Sequence, residues 1–279
     1  GPDVNGLGPL LGTNPGNMRH GVHIFFGSDY TQVGTNGDGV ADLLLAAPTG
    51  GERNLISNND WNGVMADSGS TMNEISGNFI GVDMAGTAAL PNGISGVEFD
   101  TAPQNLVGTD ADGTSDTVEL NVISGNTDWN IYIAADQILV WGNIIGPDAN
   151  EALLSPTNSK DGVAISGGSM CSIGLDMNSI GAFLMPPALS GPVQRNVISG
   201  NADDGIYLSG TTCTGNAIFA NWIGTDSTET AILPNGGNGM MIQSGANNNL
   251  VGAPMPGMEN VITNNVLNGI QIDDLNTVG

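Results

Sequence analysis

Short stretches of alternating apolar and polar residues run along this chain, and most follow a small polar residue and a glycine. Examples are Asn62-Gly63-Val64-Met65, Asp204-Gly205-Ile206-Tyr207-Leu208 and Asn268-Gly269-Ile270-Gln271-Ile272. A period of two predicts β-strands, and Asn, Asp or Gly before each strand supplies the positive φ of a tight corner. The 43 glycines and 14 prolines interrupt every window that could hold a regular α-helix.

A longer phrase recurs at intervals that are too wide for one coil. Residues 121–126 and 196–201 both spell Asn-Val-Ile-Ser-Gly-Asn, and imperfect copies begin at Asn54 and Asn260. A second phrase, of the form Asn-x-Ile-Gly, divides each period. Together the two phrases give seven coil starts, at Asn54, Asn78, Asn121, Asn143, Asn196, Asn221 and Asn260. Short and long coils alternate, which predicts loops on one side of a solenoid.

The fold predicted from these patterns is all-β. Short strands joined by corners, with each strand above its counterpart in the previous coil, favour a parallel β-helix over residues 51–279, with about seven coils. The seven asparagines should then line one corner and form a ladder of stacked amides along the axis. Residues 1–50 are expected to be a separate short β segment.

Residues 54–279 resemble the right-handed parallel β-helix repeats of pectin-lyase-like proteins and of large secreted bacterial repeat proteins. The repeated Asn-Val-Ile-Ser-Gly-Asn phrase carries the resemblance, together with Leu-Pro-Asn-Gly at 90–93 and 233–236. The resemblance implies the fold. It does not imply one activity, because this solenoid carries lyases, epimerases, glycosidases, adhesins and spacers.

The first fifty residues are similar to another family. The segments 20–28 (His-Gly-Val-His-Ile-Phe-Phe-Gly-Ser) and 37–48 resemble the FG-GAP repeat of integrin-like β-propellers. That resemblance implies a calcium loop with Asn36, Asp38, the carbonyl of Val40 and Asp42 as ligands, although Gly34 replaces the first acidic ligand. The alternative is an acidic turn. Because one blade cannot close a propeller, we expect this segment to cap the rod, complete a neighbouring subunit or belong to a larger domain.

The charge of the chain limits its partners. The chain has four basic and 28 acidic residues, which give a formal net charge of −24 at pH 7. Such a surface repels nucleic acid and anionic membranes. The sequence contains no apolar run of the ~18 residues that a membrane-spanning helix needs, so we expect no membrane insertion. We expect a secreted protein that is extracellular or at the cell surface.

Two cysteines are expected to stack. Cys171 comes nine residues after Gly162 and Cys213 eight after Gly205, which suggests the same place in consecutive coils. One coil of separation, ~4.8 Å, lies within the Cα range of a disulfide. We therefore expect either a Cys171–Cys213 disulfide or a close pair of thiols.

Catalytic residues are hard to find in this chain. The lyases that it resembles use a basic residue beside carboxylate-bound calcium, but Arg53 and Arg195 both precede the repeated phrase at the same position, which favours a structural role. Polygalacturonase-like sites pair several Asp with a His, and residues 54–279 contain no His. The remaining candidates are Asp203, Asp273 and Asp274. We expect no enzymatic activity.

Aromatic residues suggest a binding role. Trp61 and Trp129 each come just before an inner strand and could present a flat face to a sugar ring; the alternative is packing against a neighbouring loop. His20 and His23 are three residues apart, so in a strand they would point to opposite faces and would not share a metal.

The end of the sequence adds one more expectation. The chain stops partway through a coil, and no polar cap follows Ile272, so we expect either a longer array or end-to-end self-association. The function expected is a non-catalytic extracellular structural or adhesive solenoid, which could assemble head to tail into a filament or surface layer. The alternative is a carbohydrate-active or carbohydrate-binding β-helix protein, such as a polysaccharide lyase, epimerase or glycosidase.

Overall fold

A computed structural model describes residues 16–35, 53–110, 116–155, 157–174, 195–252 and 258–273. Within these ranges the chain forms β-strands that visit three parallel sheets in strict rotation, and one short helix, α1 (Asp116–Glu119). Successive strands of each sheet come from successive coils and pair in register. The prediction of an all-β parallel β-helix is therefore confirmed.

The strands are numbered along the chain. The first sheet contains β1 (Val22–Ile24), β4 (Val64–Asp67), β7 (Val97–Asp100), β10 (Ile131–Ala134), β13 (Val163–Ser166), β16 (Ile206–Ser209), β19 (Met240–Gln243) and β22 (Ile270–Asp273). The second contains β2 (Gln32–Gly34), β5 (Glu74–Ser76), β8 (Leu106–Gly108), β11 (Leu139–Trp141), β14 (Ser172–Ile173), β17 (Ala217–Ile218) and β20 (Leu250–Val251). The third contains β3 (Leu55–Ile56), β6 (Phe79–Ile80), β9 (Val122–Ile123), β12 (Ile144–Ile145), β15 (Asn196–Ile198), β18 (Asn221–Ile223) and β21 (Val261–Ile262).

The core is a set of aliphatic columns along the axis. In the third sheet the inward residues Ile80, Ile123, Ile145, Ile198 and Ile223 occupy one register position and are completely buried. Each such side chain contributes roughly 1.5–3 kcal/mol of hydrophobic stabilisation. The repeated Ile of the two phrases therefore supplies the column that holds successive coils together.

The predicted asparagine ladder is present at the corner before the third sheet. Each member donates its Nδ2 to the Oδ1 of the member in the next coil, over 2.9 to 3.1 Å. Most members also donate to a backbone carbonyl of the preceding coil. The ladder comprises Asn54, Asn78, Asn121, Asn143, Asn196, Asn221 and Asn260. Each third-sheet strand begins at one of these residues or directly after it.

A second ladder, which the sequence analysis did not identify, follows the corner between the third and first sheets. Its Nδ2 to Oδ1 distances are 2.8 to 3.0 Å. Asn130 stands directly before a first-sheet strand, where the seven other coils have glycine. It connects Asn126 to Asn201 across a coil whose chain leaves the corner as a loop. The members are Asn17, Asn59, Asn92, Asn126, Asn130, Asn201, Asn235 and Asn265.

Loops project after the third sheet in alternate coils, as predicted. Asp83, Asp148 and Asp226 each accept two backbone N–H groups from their own loop through Oδ1. The serine of the repeated phrase supports the next coil: Ser124 Oγ accepts the N–H of Gly146 and donates to the carbonyl of Pro147. Ser57 and Ser199 make the equivalent bonds. The structural repeat is therefore a two-coil unit.

The N-terminal strands belong to the same solenoid. β1 pairs parallel with β4, and β2 pairs parallel with β5. β1 and β2 thus belong to the first described coil, which stacks on the coil of β4 and β5.

The one helix of the described residues spans only four positions, so none in that part of the chain has the length or hydropathy needed to cross a membrane.

Candidate functional site

The corner that precedes the first sheet collects the polar side chains of most chemical interest. Residues two positions before each first-sheet strand share this corner, and Trp129, Asp161, Asp204 and Asn238 occupy it on successive coils. Asp161 and Asp204 are each 6% exposed. The sequence pattern explained Asp204 as a corner residue, and the hydrogen bonds described below agree with that explanation.

Trp129 lies at the centre of a mixed aromatic and charged cluster. Its Nε1 donates to Oδ2 of Asp161 over 3.1 Å, and the ring of Tyr132 lies 4.7 Å away. The ammonium of Lys160 sits 3.6 Å from the indole centroid and also contacts Asp128 at 3.5 Å. One face of Trp129 is therefore covered by a cation rather than open to solvent, and this cation–π contact contributes about 0.5–2 kcal/mol.

The outward positions of the first sheet extend this cluster along the axis. Tyr132, Ala164 and Tyr207 are consecutive in register, so the two partly exposed tyrosines stand two coils apart, roughly 9.6 Å. The hydroxyl of Tyr207 accepts a hydrogen bond from Nε2 of Gln243 over 2.6 Å. Phenol rings, an indole, carboxylates and an ammonium on one surface are groups that can stack on sugar rings and bond to hydroxyls. Alternating strand positions were the signal that could have identified the two tyrosines.

Trp61, the other predicted binding residue, lies in the coil of β4, two coils before Trp129. It is 41% exposed, with the guanidinium of Arg19 5.2 Å from its ring and the edge of His20 at 5.1 Å. The rings of His20 and His23 are only 4.9 Å apart. The expectation that they point to opposite faces was wrong, because His20 belongs to the corner rather than to β1, where the alternation applies.

Asp203 and Asp273, two of the carboxylates proposed from the sequence, lie on different coils. Asp203 is exposed and groups with Asp161 and Asp204, whose potential ligand oxygens all lie within 4.8 Å of one another. Burial, followed by the nearby Asp203 charge, raises the pKa of Asp161 to about 7. Asp273 belongs to β22, two coils further along, and Asp274 lies outside the described residues.

A second carboxylate group lies near α1 and was not found from the sequence. Asp110, Asp116 and Glu119 also bring oxygens within 4.8 Å of one another. Burial is the main reason why the pKa of Glu119 rises to about 7, and its Oε2 accepts the backbone N–H of Asp110. Nothing in the linear spacing marks Glu119 as buried, because its environment comes from neighbouring coils.

The predicted calcium ligands Asn36, Asp38, Val40 and Asp42 lie outside the described residues. Calcium binding by this loop stays a prediction.

Both cysteines are free, buried thiols, and the predicted disulfide is not present. The expected pairing assumed that the turns after β13 and β16 have similar lengths. The register instead places Cys171 opposite Asn216, three residues after Cys213. Asn216 connects them, since its Oδ1 accepts the N–H of Cys171 and its Nδ2 contacts Sγ of Cys213 at 3.3 Å. Burial raises the pKa of the two thiols to about 12 and about 11.

The two arginines that precede the repeated phrase have equivalent structural contacts. The guanidinium of Arg53 lies 4.0 Å from the ring centroid of Phe79, and that of Arg195 lies 4.9 Å from Trp222. Each cation thus covers an aromatic ring at the same register position of the next coil. This geometry matches the structural role that the repetition indicated.

No protein-family model, curated protein or solved structure matches this chain. The pectin-lyase-like and FG-GAP resemblances therefore rest on their sequence phrases alone.

Proposed function

We propose that this chain is a non-catalytic, secreted structural or adhesive solenoid that acts as a rigid rod at a cell surface or in an extracellular layer. The observation that carries the proposal is the unbroken ladder from Asn54 to Asn260. A buried amide that satisfies both its donor and its acceptor in neighbouring coils fixes the stacking register, since an unmet bond costs about 1–3 kcal/mol. Eight strands at ~4.8 Å spacing give a rod of roughly 34 Å.

The disposition of the acidic residues supports a structural role over catalysis. Asp161 and Asp204, the two buried acids of the candidate cluster, accept hydrogen bonds from the backbone of the next coil, as Asn238 does. Their carboxyls thus serve the same corner as the asparagines. The large negative charge favours a well-solvated surface.

The last described strand supports association with a second copy. Ile270 and Ile272 of β22 are 44% and 75% exposed, whereas their counterparts in β19, Met240 and Ile242, are only 0% and 8% exposed. Among the described strands β22 is the last of its sheet. A coil of a second copy stacked on β22 would bury these side chains and pair with the edge of this strand.

Imaging and an activity screen test the proposal together. Antibodies against the recombinant chain should label a surface layer or filament of the source cells by immunogold electron microscopy, and a panel of acidic and neutral polysaccharides should remain undegraded. Sedimentation velocity of the 279-residue chain should show concentration-dependent association that Ile272→Lys weakens. Release of unsaturated or shortened sugars would overturn the proposal.

Carbohydrate binding is the second candidate, favoured by the cluster of Trp129, Tyr132 and Tyr207 on one face. Affinity electrophoresis in gels containing polysaccharide tests it. Retardation that Trp129→Ala abolishes and Trp222→Ala preserves would favour binding at this face, because Trp222 belongs to the third sheet. Equal mobility with and without polysaccharide would exclude it for the sugars tested.

A further inference from the structure

The corner before the first sheet has a fixed direction of hydrogen bonding. Asn268 donates to Oδ1 of Asn238 from its Nδ2 over 3.0 Å and from its backbone N–H over 3.1 Å. Asn238 repeats this pattern toward Oδ1 of Asp204, over 2.9 and 2.6 Å. At both of these steps, the later coil therefore donates two hydrogen bonds to one side-chain oxygen of the coil before it.

The next step of the column, from Asp204 to Asp161, has only the backbone hydrogen bond of the two. Asp204 donates its backbone N–H to Oδ1 of Asp161 over 3.1 Å, but a carboxylate has no counterpart to the amide hydrogen of asparagine. Two buried carboxyls thus stand one coil apart where the column requires a donor and an acceptor. The other oxygen of Asp161 already accepts the Nε1–H of Trp129.

We propose that a single proton, shared between the carboxyls of Asp204 and Asp161, takes the place of the missing amide hydrogen. Its loss at rising pH loosens this corner by repulsion between the two carboxylates and strengthens the hydrogen bond from Nε1 of Trp129 to Asp161. The proton comes from water and returns to it, and no other bond changes. This proposal goes beyond the structural role proposed above and does not depend on it.

The charges that face the pair favour proton uptake. Asp203 lies within 4.8 Å of both carboxyls, and Asp128 is on the preceding coil. Lys160 is the cation beside them, and it is held by Asp128 and by the face of Trp129. Burial is the main cause of the raised pKa of Asp161, about 7, and burial also raises the pKa of Asp204. The device would therefore respond near neutral pH, in the range that separates acidified from neutral surroundings.

Substitution of Asp204 by Asn tests the proposal, because asparagine restores the amide donor without a proton. The Nε1–H resonance of Trp129, assigned with Trp129→Phe in ¹⁵N-labelled protein, should shift with a midpoint of about pH 7 in the wild type. In Asp204→Asn the midpoint should move below pH ~5 or disappear. An unchanged midpoint in this variant would overturn the proposal.

Asp203→Asn is the matched control, since it removes a neighbouring charge without entering the column. It should keep the transition and lower its midpoint by roughly half a pH unit. Carboxyl ¹³C shifts of the wild type give a measurement that needs no variant. Two independent titrations near pH 4 for Asp161 and Asp204 would sink the idea.

Discussion

Asn121 donates its Nδ2 to Oδ1 of Asn143 over 2.9 Å, although the two residues lie in different coils and are 22 positions apart. The bond is one step of a column in which each amide between Asn54 and Asn260 both donates to and accepts from its neighbours. Displacement of one coil breaks the amide hydrogen bonds to the coils on both sides, so the positions of successive coils are coupled. Its members should therefore be sensitive to substitution in a way that exposed asparagines are not.

Asn143→Ala should lower the free energy of unfolding by about 2–4 kcal/mol. It leaves the N–H and Nδ2 of Asn121 and the carbonyls of Val107 and Trp141 without their side-chain partner. Urea unfolding followed by circular dichroism measures the change. Asn150→Ala, in an exposed loop, is the control and should remain within about 0.5 kcal/mol of wild type. Equal effects at both positions would contradict the ladder.

Ser124→Ala should cost roughly 1–3 kcal/mol, because the buried hydroxyl bridges the N–H of Gly146 and the carbonyl of Pro147 in the next coil. Thermal unfolding provides the measurement. The exposed Ser155→Ala should leave the melting temperature unchanged. A neutral Ser124→Ala variant would show that the two-coil unit does not depend on this serine.

Gly108→Ala should prevent folding or cost more than about 3 kcal/mol. Gly108 has φ of +108°, and a Cβ there would overlap the carbonyl oxygen of Trp141 in the neighbouring coil. Gly69→Ala is the matched control: its φ is +79°, but nothing lies within 4 Å of the added Cβ. Gly69→Ala should lower the free energy of unfolding by only about 1 kcal/mol. The soluble yield and the denaturant midpoint of the two variants measure the difference.

Cys171 and Cys213 should resist alkylation in the folded protein, because both thiols are buried and their pKa values are raised to about 12 and about 11. Iodoacetamide labelling followed by mass spectrometry should add no mass under native conditions and two labels in denaturant without reductant. Failure to label the denatured, unreduced chain would reveal a disulfide and contradict the free thiols.

Glu119 should make stability fall as pH rises. Its folded pKa of about 7 exceeds the ordinary value of 4.5, so the native state holds more protons than the unfolded state between these values. The contribution is greatest below pH 4.5, declines toward pH 7 and is constant above it. Urea midpoints from pH 4.5 to 8 should show this slope, and Glu119→Gln should reduce it. A wild-type midpoint that rises over this range would contradict the assignment.

The strands, the corners and the coil starts could be predicted from the amino-acid sequence. Alternation around Ile206 and Ile270 predicted first-sheet strands. The two recurring phrases located the described third-sheet strands, together with the ladder from Asn54 to Asn260. These features are local or strictly repeated, so one coil is a template for the next. The shared position of Arg53 and Arg195 likewise anticipated their equivalent aromatic contacts.

Where coils differ in length, the residues that become neighbours along the axis are known only from the three-dimensional packing of the coils. Asn130 enters the second ladder because a neighbouring coil leaves the corner, and Cys171 faces Asn216 because the turn before β17 is longer than the count assumed. The contacts of Trp129 with Lys160 and Asp161 join adjacent coils in the same way. Spacing along a chain fixes the period of a solenoid, but stacking in space fixes its register, and side-chain chemistry depends on the register.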